Sequence, residues 1–197
     1  MTMKLTAQIA LLVGFLSGGT FTLQAADAPT AAWFPLDAKN VNGDCVFDMS
    51  AWLDAPAGKH GGVRMVDDQF QFEDKTPVKF WGTNLAYVAC APADHSTADA
   101  TAKMFARYGI NGVRLHKFSG PNGWEGIGDP RDVTQFDSKG LSNLDYFTGA
   151  LTKAGIYYGF SHTFNMGIRE GNRDKILAYD EIKNNLKTIE STVLLTN

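Results

Sequence analysis

Three observations along the chain predict an α/β fold. Helical and strand-like stretches alternate, the alternation repeats at a fixed interval, and the strands place polar residues on only one face. Together they predict an incomplete (β/α)8 TIM-type barrel of about three strands, preceded by a short β-rich segment. The bulk composition agrees. A length of 197 residues, 44% of them hydrophobic, with 20 Gly and 7 Pro, suits a globular domain with a sizeable core. The net charge of −3 shows no basic excess, so nothing points to a nucleic-acid partner.

The first element is a targeting segment. Lys4 supplies a positive start, and Ile9 to Leu23 form an apolar stretch broken by Ser17, Gly18 and Gly19. Gln24-Ala25-Ala26-Asp27-Ala28 then offers small residues for cleavage. Residues 1–25 are therefore expected to be a signal peptide and the mature protein to be secreted or periplasmic. No later stretch is long and apolar enough to span a bilayer, so no membrane partner is expected after cleavage. Export places Cys45 and Cys90 in an oxidising compartment, where one disulfide or two buried thiols are both open.

Residues 26–75 read as a linker followed by a hairpin. Ala26 to Ala32 is rich in Ala, Pro and Thr. Val63-Arg64-Met65-Val66 and Phe70-Gln71-Phe72 alternate about an Asp67-Asp68 turn. A second turn at Glu73 to Pro77 leads into Val78 to Leu85, which predicts one long strand. The first βα units are expected over 76–170, and an amphipathic helix with a short tail over 171–197. Ile182, Leu186, Ile189 and Val193 mark the stripe of that helix.

The repeat lies between these segments. Ser96-Thr97-Ala98-Asp99 and Ser142-Asn143-Leu144-Asp145 both fit a capping box. Ala98, Ala102, Phe105 and Ala106 recur at helical spacing, as do Leu144, Phe147, Leu151 and Ala154. Gly109 and Gly155 stand where left-handed helix terminators belong. The strands then run from Ile110 to His116 and from Ile156 to His162. Each corresponding pair differs by 46, which predicts a repeated helix–strand unit.

Alternate strand residues share a face. Gly112, Arg114 and His116 fall on one face, with Val113 and Leu115 on the other; the 46-residue offset matches Tyr158, Phe160 and His162 to the first set. Val and Leu suit a face under helices, whereas Arg114 and His116 suit the carboxyl end of a barrel. A Rossmann-type sheet competes. Its Gly-x-Gly-x-x-Gly turn is absent after the first strand, where Asn84-Leu85-Ala86-Tyr87-Val88 stands instead. A doubly wound sheet is also more often apolar on both faces.

Phe80-Trp81-Gly82-Thr83-Asn84-Leu85, followed by a helix and Gly109-Ile110-Asn111-Gly112-Val113-Arg114-Leu115-His116, resembles the opening of the (β/α)8 retaining glycosidases grouped around cellulase-like family 5. Leu141 to His162 is similar to their next helix and strand. The resemblance covers roughly Thr76 to Phe164, and the Gly-Ile-Asn-x-Val-Arg strand is its strongest part. It implies that Arg114 is the second-strand arginine that keeps a nucleophilic carboxylate ionised. It also implies that His162 lies near a sugar-contacting histidine of the third strand, and it offers His116 as a second contact. In that family two glutamates at the ends of strands four and seven perform hydrolysis, some 5–5.5 Å apart for retention. No Asn-Glu pair follows His162. The chain is thus expected to be the N-terminal part of an exported glycosidase, its catalytic residues unknown and its 197 residues inactive alone.

The substrate-binding candidates are Arg114, His116, Trp124 and His162, and the expected partner is a polysaccharide or oligosaccharide. Trp124, in the glycine-rich loop Ser119 to Pro130, offers either a flat face to a sugar or an anchor for its own loop. Both histidines are open to a structural role. Trp81 reads as core. No metal or cofactor is expected, because Lys79 to Leu85 lacks the His-x-His of metal-dependent barrel hydrolases. A non-catalytic carbohydrate- or partner-binding module stands as the alternative.

Overall fold

The computed structural model describes residues 46–161 and 168–182. The signal segment, most of the linker, Cys45, His162 and the apolar stripe after Ile182 lie outside the described residues. No helix among those described is long and apolar enough to cross a membrane.

The first two strands form the expected hairpin. β1 (Val63–Val66) and β2 (Gln69–Phe72) pair antiparallel, with Val66 opposite Gln69. Asp67 turns the corner at φ 54, a left-handed conformation that a short polar side chain tolerates. The single long strand expected over Val78 to Leu85 is instead divided. Val78 N–H donates to the Phe70 carbonyl at 3.0 Å, extending the hairpin sheet, whereas β3 (Gly82–Ala86) joins a different sheet. The side chain of Asn111 bridges the break: its Nδ2 donates to the Lys79 carbonyl at 2.8 Å and its Oδ1 accepts from Trp81 N–H at 2.7 Å. One amide thus satisfies backbone groups that neither sheet reaches. Trp81, expected in the core, is 70% exposed, because the bend at this break carries it out of both sheets.

β3, β4 (Gly112–His116) and β5 (Tyr157–Ser161) form a parallel sheet in sequential order. Helix α1 (His95–Arg107) connects the first two strands and α2 (Ser138–Lys153) the second two. The chain is therefore mixed α/β, built from crossover units. Both predicted capping boxes are displaced. Asp94 caps α1, accepting from Thr97 N–H at 2.8 Å and from the Ser96 hydroxyl at 2.6 Å. Asp137 caps α2 through Gly140 N–H at 2.6 Å. An aspartate upstream, two residues before Ser96 and five before Ser142, wins because its carboxylate accepts at full charge at the helix's positive end. Ser96 becomes a donor to that cap, and the hydrogen bonds hold Asp94 down at about 2. Ser142 lies inside α2, exposed. The helix ends fall as expected, with Gly109 and Gly155 at φ 68 and 81, where a side chain would be strained.

The core lies between helices and sheet. Ala98, Ala102 and Phe105 of α1 and Leu144, Phe147 and Leu151 of α2 pack with Val113, Leu115 and Ile156. The alanines bring α1 close to the sheet. The helices also grip each other: the His95 ring stacks on Tyr146 at 3.6 Å, and Tyr146 Oη donates to Asp99 at 3.1 Å. Both helices therefore cover the face that carries Val113 and Leu115.

The strand register corrects the 46-residue offset. Gly112 pairs with Tyr157, Arg114 with Gly159, Leu115 with Phe160 and His116 with Ser161, an offset of 45. The turn from Gly155 to the strand is one residue shorter than the turn from Gly109, so every later side chain changes face. Tyr158 and Phe160 consequently share the helix face with Val113 and Leu115, and Phe160 packs on Phe118 at 5.4 Å. Tyr157, Gly159 and Ser161 share the open face with Arg114 and His116.

The hairpin segment packs against the amino end of that open face. Phe72 stacks between His60 and Tyr157, each at 5.5 Å, and Phe80 meets Tyr157 edge-on at 5.7 Å. His60 itself sits between two carboxylates. Its Nδ1 meets Asp74 at 2.5 Å and its Nε2 meets Asp54, which also pairs with Lys59. The bond to Asp74, then that to Asp54, raises the imidazole above its usual 6.5. Asp54 and Asp74 are lowered from 3.8, chiefly by Lys59 and by the Thr76 N–H respectively. A raised histidine stabilises the fold fully below 6.5 and loses that contribution as pH climbs through its folded value. The lowered carboxylates contribute above 3.8 and lose their contribution in acid. The melting temperature is expected to fall from pH 6 to pH 8.5 in the wild type, with a shallower fall in His60→Gln. Equal slopes in the two proteins would show that the clamp does not hold the hairpin.

Candidate functional site

Polar side chains converge at the carboxyl end of the open face. β3 contributes Asn84, β4 Arg114 and His116, and β5 Ser161. Arg114 is exposed on the face opposite α1 and α2, and its Nε donates to Ser161 Oγ at 2.8 Å. His116 is half-buried at the strand end, directly beside Ser161 in the ladder. Burial lowers its pKa, and the Arg114 and Lys117 charges lower it further, so the neutral imidazole dominates near neutrality. Of the candidate residues, Arg114 and His116 come together. The place beside His116 that the offset assigned to His162 is taken by Ser161.

Two residues that sequence reasoning passed over complete the rim. Tyr87 and Lys117 follow β3 and β4 directly, and both hold left-handed backbone, at φ 59 and 62. Such conformations cost free energy in non-glycine residues and cluster at functional sites. The two side chains meet: Lys117 Nζ lies 3.2 Å from Tyr87 Oη and 5.1 Å from the ring centroid. Trp124 joins them, its ring 5.2 Å from that of Tyr87 and its carbonyl accepting from Val88 N–H at 3.3 Å. It is 69% exposed, which fits a presented face better than a buried anchor. The available signal was position, since each follows a strand at its carboxyl end.

The loops around this rim are folded rather than loose. Ile127 N–H donates to the Phe118 carbonyl at 2.8 Å and Gly128 N–H to that of Gly120 at 2.7 Å. Ile127 is buried against α2 where Gly140 leaves room; a Cβ there would lie 2.6 Å from the Ile127 side chain. The segment 169–175 after β5 is stitched to the same loop through Asn172, whose side chain accepts from Arg169 and Val133 N–H. Cys90 lies beneath the rim, buried, its Sγ donating to the His116 carbonyl at 3.5 Å. Burial raises the thiol to about 11, which makes it unreactive. The bridge to Cys45 falls outside the described residues.

No group of three or more His, Cys, Asp or Glu able to hold a metal occurs among the described residues. A groove of about 760 Å³ opens at the opposite, amino end, lined by Trp52, Trp81, Tyr108 and Tyr157. It lies away from the strand ends where parallel α/β sheets bind ligands. Comparison with protein-family models, with curated proteins and with solved structures gives no match to this chain.

Proposed function

We propose that the carboxyl end of this sheet binds carbohydrate, and that the chain is the N-terminal portion of an exported glycosidase with a (β/α)-barrel architecture, related to family 5. The observation that carries the reading is Arg114 and His116 on the face opposite α1 and α2, at the strand ends. Sequential strands with both helices on one face support curling into a cylinder, because a doubly wound sheet places helices on both faces. Trp124 and Tyr87 supply flat apolar surface next to polar donors, a combination suited to a sugar ring.

The three strands of this site carry no carboxyl group with which to hydrolyse a glycoside. Gly82–Ala86, Gly112–His116 and Tyr157–Ser161 contain no Asp or Glu, and the reaction requires two carboxyl groups. The 197-residue protein is therefore expected to bind oligosaccharide without cleaving aryl-glycosides. Titration of the tryptophan fluorescence with oligosaccharides tests this. Trp124→Ala is expected to weaken binding about tenfold, the equivalent of one good ring contact. Arg114→Ala is expected to weaken it by a similar factor. Binding unchanged in both variants, or absent for every sugar tried, would defeat the proposal.

A further inference from the structure

We infer that Ser161 is a positioning residue: by accepting the Nε–H of Arg114, its hydroxyl sets the plane of the guanidinium and presents the terminal nitrogens to a sugar. The inference rests on the carbohydrate reading above and adds to that site a residue whose effect runs through Arg114.

Little else holds Arg114 in place. Two positions back on the same face of β4 stands Gly112, and directly across the ladder on β5 stands Gly159. A Cβ at Gly159 would meet nothing within 4 Å, so that flank of the arginine is open space rather than packing. Among the described residues no carboxylate pairs with Arg114, and its hydrogen bond is the one from Nε to Ser161 Oγ at 2.8 Å. An arginine stem carries much rotamer freedom, and a ligand that needs the guanidinium in one place loses affinity by ordering it. A bond at Nε orders it beforehand.

The chemistry of the partner matters as much as its place. A carboxylate facing Arg114 would take two N–H groups side by side and offset the charge. A serine hydroxyl accepts from the inner nitrogen alone and stays neutral, which leaves the terminal N–H groups to ligand oxygens. The strand register makes this pairing. It sets Ser161 opposite His116, and so brings the hydroxyl to the face of Arg114.

A double-mutant cycle on the full chain, read by titration with cellotetraose and xylotetraose, tests the inference. Ser161→Ala is expected to weaken binding about fivefold, and Ser161→Thr, which keeps the hydroxyl, to recover most of the loss. In the Arg114→Ala background, Ser161→Ala is expected to cost nothing further, because its effect runs through the missing side chain. A residue that merely supports the strand would add its loss in both backgrounds. NMR gives a readout that needs no ligand. The Nε–H of Arg114, assigned by its disappearance in Arg114→Ala, should exchange with water more slowly than that of the exposed Arg64, and Ser161→Ala should abolish the difference. Circular dichroism confirms that the variants fold. Additive losses in the cycle, or a wild-type Arg114 Nε–H that exchanges as fast as that of Arg64, would overturn the inference and leave the carbohydrate site standing. Arg114→Ala without effect, or no binding of either probe, would remove the carbohydrate reading and the inference with it.

Discussion

Replacing Phe147 with alanine is expected to lower stability by about 3–5 kcal/mol, the largest effect of any single substitution in this core. Phe147 is fully buried on the inner face of α2, within the cluster that joins α1, α2 and the face of Val113 and Leu115. Alanine removes a whole ring from the centre of that layer. The alanines of α1 give its neighbours little reach to refill the space, so most of the cavity persists. A domain of this size holds about 5–15 kcal/mol in total, so the variant forfeits a large share of it. Urea unfolding should show the midpoint falling steeply with little change of slope. Leu141→Ala, on the same helix but 39% exposed, provides the comparison and should change stability much less. A loss below 1 kcal/mol at Phe147 would mean that α2 does not seat on the sheet as described.

That layer was legible in the sequence because its signals are periodic. Ala98, Ala102 and Phe105, and Leu144, Phe147 and Leu151, were read as stripes, and they form the core. Gly109 and Gly155 were read as helix ends for a local reason, the left-handed backbone, and that reason holds without tertiary context. The site was legible only in part. Arg114 and His116 followed from simple alternation within one strand. The neighbour of His116 depended on register between strands, which one residue fewer in the turn after Gly155 altered, replacing a histidine with Ser161. Periodicity cannot detect such a slip, because both frames look equally amphipathic over five residues. The aspartate caps were missed for a related reason. Asp94 and Asp137 each precede a serine that also fits a cap, and the choice is made by charge and geometry rather than spelling. Tyr87 and Lys117 left no periodic trace at all. Their signal is the backbone turn after each strand, which becomes visible only once the strand ends are fixed.

Asn172 carries the second large effect, and it lies in the walls of the site. The side chain is fully buried, accepts from the backbone N–H groups of Arg169 at 3.0 Å and Val133 at 3.2 Å, and donates to Asp132 at 2.5 Å. Asn172→Ala strands both backbone donors, while Asp132 Oδ1 keeps its bonds from the Thr134 N–H and hydroxyl. Each unsatisfied buried group costs about 1–3 kcal/mol, so a loss of about 2–4 kcal/mol is expected after partial rehydration. Asn172→Asp restores the acceptor but sets a second carboxylate against Asp132, whose own carboxyl the Lys175 ammonium holds well below the usual range. It should rescue little. The damage is local because Asn172 joins the loop after β4 to the segment after β5, the two stretches that frame the carboxyl end of the sheet. Limited proteolysis should therefore cut within 129–137 before the helices open, and sugar affinity should fall together with protection of that loop. Asn122→Ala, an exposed position in the same loop whose backbone alone bonds to Gly128, should leave both readouts unchanged. Rapid cleavage of the loop with sugar binding undiminished would separate these walls from the ligand, and would place binding on the strand ends alone.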